Sequence, residues 1–205
     1  DMGGRYPAGT YTLMFEGDGL LLIGGSNGEE AFFNGGTYPI NIDPSLGGLM
    51  FLIIESNVDN PIRNVRLIMP GFETSYQQQP FYTPLVNRLQ DFSVVRYAQT
   101  LRINDGDYPC DNGVAATSGD CVKHWANRAT PDYRTQGTDK GVALEYLIDL
   151  SNTANVDPWL NIQHGADDDY IRQFARAVVQ RLNTDRKVYI ELSNELFNFT
   201  SPDTQ

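Results

Sequence analysis

The residues from Val188 to Asn198 end an alternating run on an amide and a carboxyl. Val188, Ile190 and Leu192 alternate with Tyr189, Glu191 and Ser193, and Asn194-Glu195 follows. The alternation predicts a buried strand with the pair at its C-terminal end. In parallel α/β architectures that end of a strand is where catalytic side chains gather, because mid-strand side chains fill the core. An ionisable group beside an amide at such a place suggests chemistry. The plainer reading is that Asn194 and Glu195 open a polar loop.

The elements that would position this pair alternate in kind. Asn64 to Met69 is an apolar, β-branched run closed by Pro70-Gly71, and Phe81 to Phe92 places Leu85, Leu89 and Phe92 at helical spacing. Ser93 to Ala98 reads as a second strand. Val142, Leu144, Leu147, Ile148 and Leu150 mark a second helix, and Pro158 to Gln163 a third strand. Asp167 caps a third helix with the stripe Ile171, Phe174, Val178 and Leu182, and Lys187 to Ser193 is the fourth strand. Four successive β/α units predict a parallel sheet with outer helices. A (β/α)8 barrel needs about 250 residues, so residues 62–205 are read as the first four units, the N-terminal half of a TIM barrel. Its open edges would be covered by a missing C-terminal half-barrel or by self-association.

Residues 1–61 predict an all-β part. Tyr11, Leu13 and Phe15 alternate with Thr12 and Met14, Gly17-Asp18-Gly19 reads as a hairpin break before Leu20 to Ile23, Tyr38, Ile40 and Ile42 alternate again, and Leu49 to Ile54 is long enough for a central strand. Short strands with regular turns predict a small β-sandwich. Its aromatics are read as packing rather than as a sugar platform.

The formal net charge of −11 and pI near 4.5 disfavour nucleic acid and anionic membrane as partners, since Lys and Arg supply that affinity. No apolar run approaches the ~20 residues of a membrane span. The chain starts at Asp1, which gives the expectation of a processed, mature product. Cys110 and Cys121 bracket a Gly/Ser/Asn-rich segment and are read as a disulfide worth about 3 kcal/mol, ahead of free thiols or a metal site. Asn198-Phe199-Thr200 fits a glycosylation sequon, and together these features predict a secreted protein. Asp167 to Asp169 is read as a helix N-terminus attracting carboxylates, not as a metal site, and no metal or other cofactor is expected.

The run from Lys187 to Asn198 resembles the fourth-strand motif of the clan A glycoside hydrolases, retaining enzymes that include family five cellulases and mannanases. The segments Asn60 to Arg66, Met69 to Phe72, Ser93 to Arg96, His124 to Arg128, Gly141 to Glu145 and Ala166 to Tyr170 are, in that order, similar to large secreted cellulase-like or cellulose-binding proteins with an N-terminal β domain. The resemblance implies Glu195 as general acid/base and Asn194 as the contact to a sugar 2-hydroxyl. It implies that Arg96 orients the nucleophile, with a rim salt bridge as the alternative, and that His164 lines the sugar site, with a core histidine as the alternative. Trp125 is the better candidate for stacking on a sugar, and Trp159 is read as packing on the far face. A retaining mechanism needs two carboxyl groups about 5–5.5 Å apart. Glu191 lies about 13 Å from Glu195 along an extended strand and is given a structural role. The resemblance implies a nucleophile that is a Glu at the end of strand seven, and so outside this chain. The expected ligand is a β-linked polysaccharide or oligosaccharide, and the alternative is a non-catalytic extracellular protein that is structural or binds carbohydrate.

Overall fold

The computed structural model describes residues 6–25, 28–47, 49–103, 110–114, 119–133, 135–137 and 140–194. The chain divides into two compact units, residues 1–80 and 81–205.

The first unit contains β1 (Gly9–Gly25), β2 (Glu30–Ile42), β3 (Leu49–Ser56) and β4 (Arg63–Ile68) in one antiparallel sheet. The strand-rich character expected here is present, but the pairing forms a single four-stranded sheet rather than two facing ones. The long strand β1 runs through the middle. One side pairs with β2 along its length, and the other pairs first with β4 over Thr12–Glu16 and then with β3 over Gly19–Gly25. Tyr11, Leu13, Phe15, Leu21, Ile23, Ile40 and Ile42 bury one face.

Gly17-Asp18-Gly19 is therefore a bulge inside β1, not a hairpin turn. The link between β3 and β4 crosses there, Asp18 N donating to Asn60 O at 2.9 Å and Asn57 N to Asp18 O at 2.8 Å. A Cβ on Gly17, whose φ is +87°, would lie 2.0 Å from Pro61 O, so only glycine fits. β3 is an edge strand with Met50, Leu52, Ile53 and Ile54 exposed, where its apolar run predicted a central one.

The second unit contains α1 (Thr83–Leu89), β5 (Val94–Arg96), α2 (Leu144–Ala154), β6 (Asp157–Ile162), α3 (Asp168–Arg181) and β7 (Tyr189–Leu192). The three strands are parallel, in the order β5-β6-β7. This corrects the expected fold, since the half-barrel of four β/α units is not formed. The strand taken as its first member, β4, belongs to the other sheet and pairs antiparallel with β1, Thr12 opposite Ile68 and Glu16 opposite Arg63. An apolar β-branched run carries no mark of its partner, and an Arg63–Glu16 ion pair at 3.1 Å fits the antiparallel register.

The helices follow their apolar spacing in part, since Leu85, Phe92 and Ile171, expected on the apolar stripes, are exposed. Leu144, Leu147, Ile148 and Ala154 of α2 and Phe174 and Val178 of α3 pack with Val156, Leu160 and Ile162 into one core. The Asp167 side chain caps α3 by accepting from Tyr170 N at 2.7 Å, and Asn155, in the left-handed region, ends α2.

Candidate functional site at the strand ends

Because Leu160 and Ile162 enter the helix-covered core, Trp159 and Asn161 must point to the opposite face of the sheet. Register carries that face across neighbouring strands. Arg96, Trp159 and Tyr189 lie side by side, and Asn161 lies beside Glu191.

Arg96 reaches from β5 across β6 to β7. Its Nε donates to Glu191 Oε2 at 3.0 Å and its Nη2 to Oε1 at 2.9 Å and Oε2 at 2.8 Å, while the guanidinium lies 5.1 Å from the Trp159 ring centre. Asn161 Nδ2 donates to Glu191 Oε2 at 2.8 Å and to Ser193 O at 2.7 Å. Ser193 N continues the ladder to Ile162 O at 2.6 Å, and its φ of +55° then turns the chain. That turn brings Asn194 back over the sheet, where its Oδ1 accepts from Arg96 Nη2. Asn161, Ser193 and Asn194 are all buried. Asn161 Oδ1 is buried without a hydrogen-bond partner among the described residues.

Burial works to raise the Glu191 carboxyl, but the bonds from Arg96 and Asn161 outweigh it and hold it below the ordinary carboxylate range. Both oxygens are engaged and the group is ionised, so it has no proton to give and no free oxygen for attack. What it does is fix Arg96, and Arg96 fixes Asn194.

The structure thus brings Arg96 and Asn194 together. His164 lies in the turn after β6, at the same end of the strands. Glu195 and Asn198, the residues assigned to acid/base chemistry and to glycosylation, lie outside the described residues. Trp125 is elsewhere, in a short 3-10 turn on the helix side. Arg128 covers its ring at 3.8 Å, Tyr170 meets it edge-on at 5.3 Å, and it packs against the core. Trp159, read from sequence as packing, is instead partly exposed beside Arg96, next to exposed Tyr189. Asn161 was not anticipated, although its setting was a signal: an amide between Leu160 and Ile162 in a strand must face a polar partner.

Cys110 and Cys121 form the expected disulfide, with Cα atoms 5.3 Å apart. No described helix is long and apolar enough to cross a membrane, and among the described residues no three His, Cys, Asp or Glu side chains group to hold a metal ion. Comparison with protein-family models, with curated proteins and with solved structures found no match.

Proposed function

We propose that this chain contributes to a secreted, retaining glycoside hydrolase-like protein that binds and cleaves a β-linked polysaccharide. The observation that carries this reading is the Arg96 bridge, which holds the Asn194 amide at the C-terminal end of β7, one residue before Glu195. Exposed Trp159 and Tyr189 add aromatic surface on the same face, of the kind on which sugar rings stack. The disulfide agrees with an oxidising compartment. Glu195 is the acid/base in this proposal. Glu191 is not the second carboxylate, because Arg96 and Asn161 occupy it, so the nucleophile is a carboxylate that the resemblance puts beyond residues 1–205.

The test is Glu195→Gln in the intact protein. Hydrolysis of a substrate with a poor leaving group should fall by about 10²–10⁴-fold, while a substrate with an activated aryl leaving group keeps its first step and azide restores turnover. Oligosaccharide binding should change little. Undiminished hydrolysis of the poor substrate by the variant overturns the assignment.

One observation favours a second reading. Among the described residues the carboxylate touching this cluster is Glu191, and it is occupied. A non-catalytic carbohydrate-binding protein would need no other. Wild-type protein that binds oligosaccharide yet never cleaves it would decide for that reading.

A further inference from the structure

Two of the chain's three lysines, Lys123 and Lys140, line one cavity of about 30 Å³ in the second unit. Arg128, His124, Gln163 and Tyr170 also line it, over an apolar floor that includes Val142 and Leu144. In a chain of net charge −11 this is an unusual concentration of positive charge.

The walls are fixed. Lys123 is 5% exposed, and its backbone is pinned on both sides, Lys123 N donating to Gly165 O at 2.7 Å and Asp167 N to Lys123 O at 3.2 Å. The Cys110–Cys121 disulfide anchors the segment that leads into it. Arg128 is held by Glu145 and by the Trp125 ring, and Lys140 Nζ lies 5.0 Å from the Tyr133 ring centre.

Charge and donors then define the occupant. Glu145 balances Arg128, and Asp167 engages His124 Nδ1 at 2.6 Å. Asp111 is the remaining carboxylate among the described lining residues and stands beside the two lysines. The Gln163 amide and the Tyr170 hydroxyl line the same space and are hydrogen-bonded to no other described residue. Burial raises Tyr170 to about 12, so its hydroxyl keeps its proton and donates. A volume of this size holds about two water-sized atoms, far less than the roughly 300 Å³ or more that a drug-sized ligand needs.

We propose that this cavity binds a single carboxylate group, presented either by a small organic acid or by an acidic sugar residue, with Lys123, Lys140, Gln163 and Tyr170 as donors. Burial pulls Lys123 down to about 8, against the attraction of Asp111, and a bound anion would return the charge stabilisation that burial removes. The site is independent of the hydrolase reading.

With only three lysines in the chain, selective 13Cε-lysine labelling gives three NMR signals, assigned with Lys140→Gln and Lys187→Gln. Sodium acetate and sodium glucuronate are titrated separately at constant ionic strength. The Lys123 and Lys140 signals should shift saturably while Lys187 stays still, and Lys140→Gln should weaken binding about tenfold, as read at Lys123. Saturation by acetate alone identifies a free small acid, and saturation by glucuronate identifies an acidic sugar. The proposal is overturned if neither acid gives a saturable shift, if all three lysines move together, or if Lys140→Gln binds as tightly as the wild type.

Discussion

Replacing Arg96 by methionine keeps most of the side chain's length but removes every donor that ties β5 to β7. The Arg96 side chain is 36% exposed and that of Glu191 24%, so their ion pair is worth more than a surface pair and less than a buried one, about 1–2 kcal/mol. Asn194 is 5% exposed and also loses its Arg96 bond, which adds about 1–2 kcal/mol. The expected destabilisation is therefore about 2–4 kcal/mol. Glu191→Gln keeps one oxygen and the Asn161 bond, so it should lose only about 1–2 kcal/mol, and the double variant should be about 1–2 kcal/mol more stable than the sum of the single losses implies. Both tryptophans, Trp125 and Trp159, lie in residues 81–205, so urea unfolding followed by tryptophan fluorescence reports on the second unit. Strict additivity of the two single effects would falsify the claim that Glu191 acts through Arg96.

Two further outcomes test other parts of the structure. Glu191 is held below its unfolded value, so its contribution is complete above the ordinary Glu range near pH 4.3 and is lost as pH falls through the lower folded value; Glu191→Gln should remove that component, and parallel stability–pH curves for the two proteins below pH 4.3 would count against it. Gly17→Ala puts a Cβ 2.0 Å from Pro61 O at a φ of +87° and should destabilise the first unit by at least about 2 kcal/mol, whereas Gly24→Ala, whose Cβ would meet nothing nearer than Glu29 Cγ at 3.8 Å, should change it by less than about 1 kcal/mol. Denaturation followed by far-UV circular dichroism compares the pair, and equal stability of the two variants would remove the packing argument for the bulge.

The second unit was legible where one face of an element sets its period. Phe174 and Val178 of α3 bury as their spacing predicts, and Asp167 caps the helix from the expected position. Long-range pairing was not legible. The β4 run fits a parallel neighbour as well as an antiparallel one, and what decides between them is β1, some fifty residues upstream. Gly17-Asp18-Gly19 has the composition of a turn, yet the same positive φ serves a bulge when another segment crosses there. The surroundings of the two tryptophans were not legible for a related reason. Arg128 lies over the Trp125 ring and Tyr170 meets its edge, while alternation with buried Leu160 forces Trp159 out onto the polar face.

The polar bridge between β5, β6 and β7 calls for an explanation beyond stability. Apolar residues at Arg96, Asn161 and Glu191 would close the same face without the desolvation penalty that partly buried charges carry, and such replacements are often neutral or stabilising. What they could not supply is direction. The paired Glu191 oxygens set the plane of the guanidinium, and Arg96 Nη2 then points at Asn194 Oδ1. An Asn194 held in this way keeps its Nδ2 oriented for an acceptor, as a contact to a sugar hydroxyl requires. The asymmetry between the strands fits this role: β5 and β6 contribute the donors Arg96 and Asn161, and β7 contributes the acceptor Glu191 together with the turn at Ser193 that delivers Asn194. On the proposed carbohydrate-binding role, positioning of the amide, rather than the strength of the ion pair, is the property the Arg96 and Glu191 variants should lose first when assayed for oligosaccharide binding.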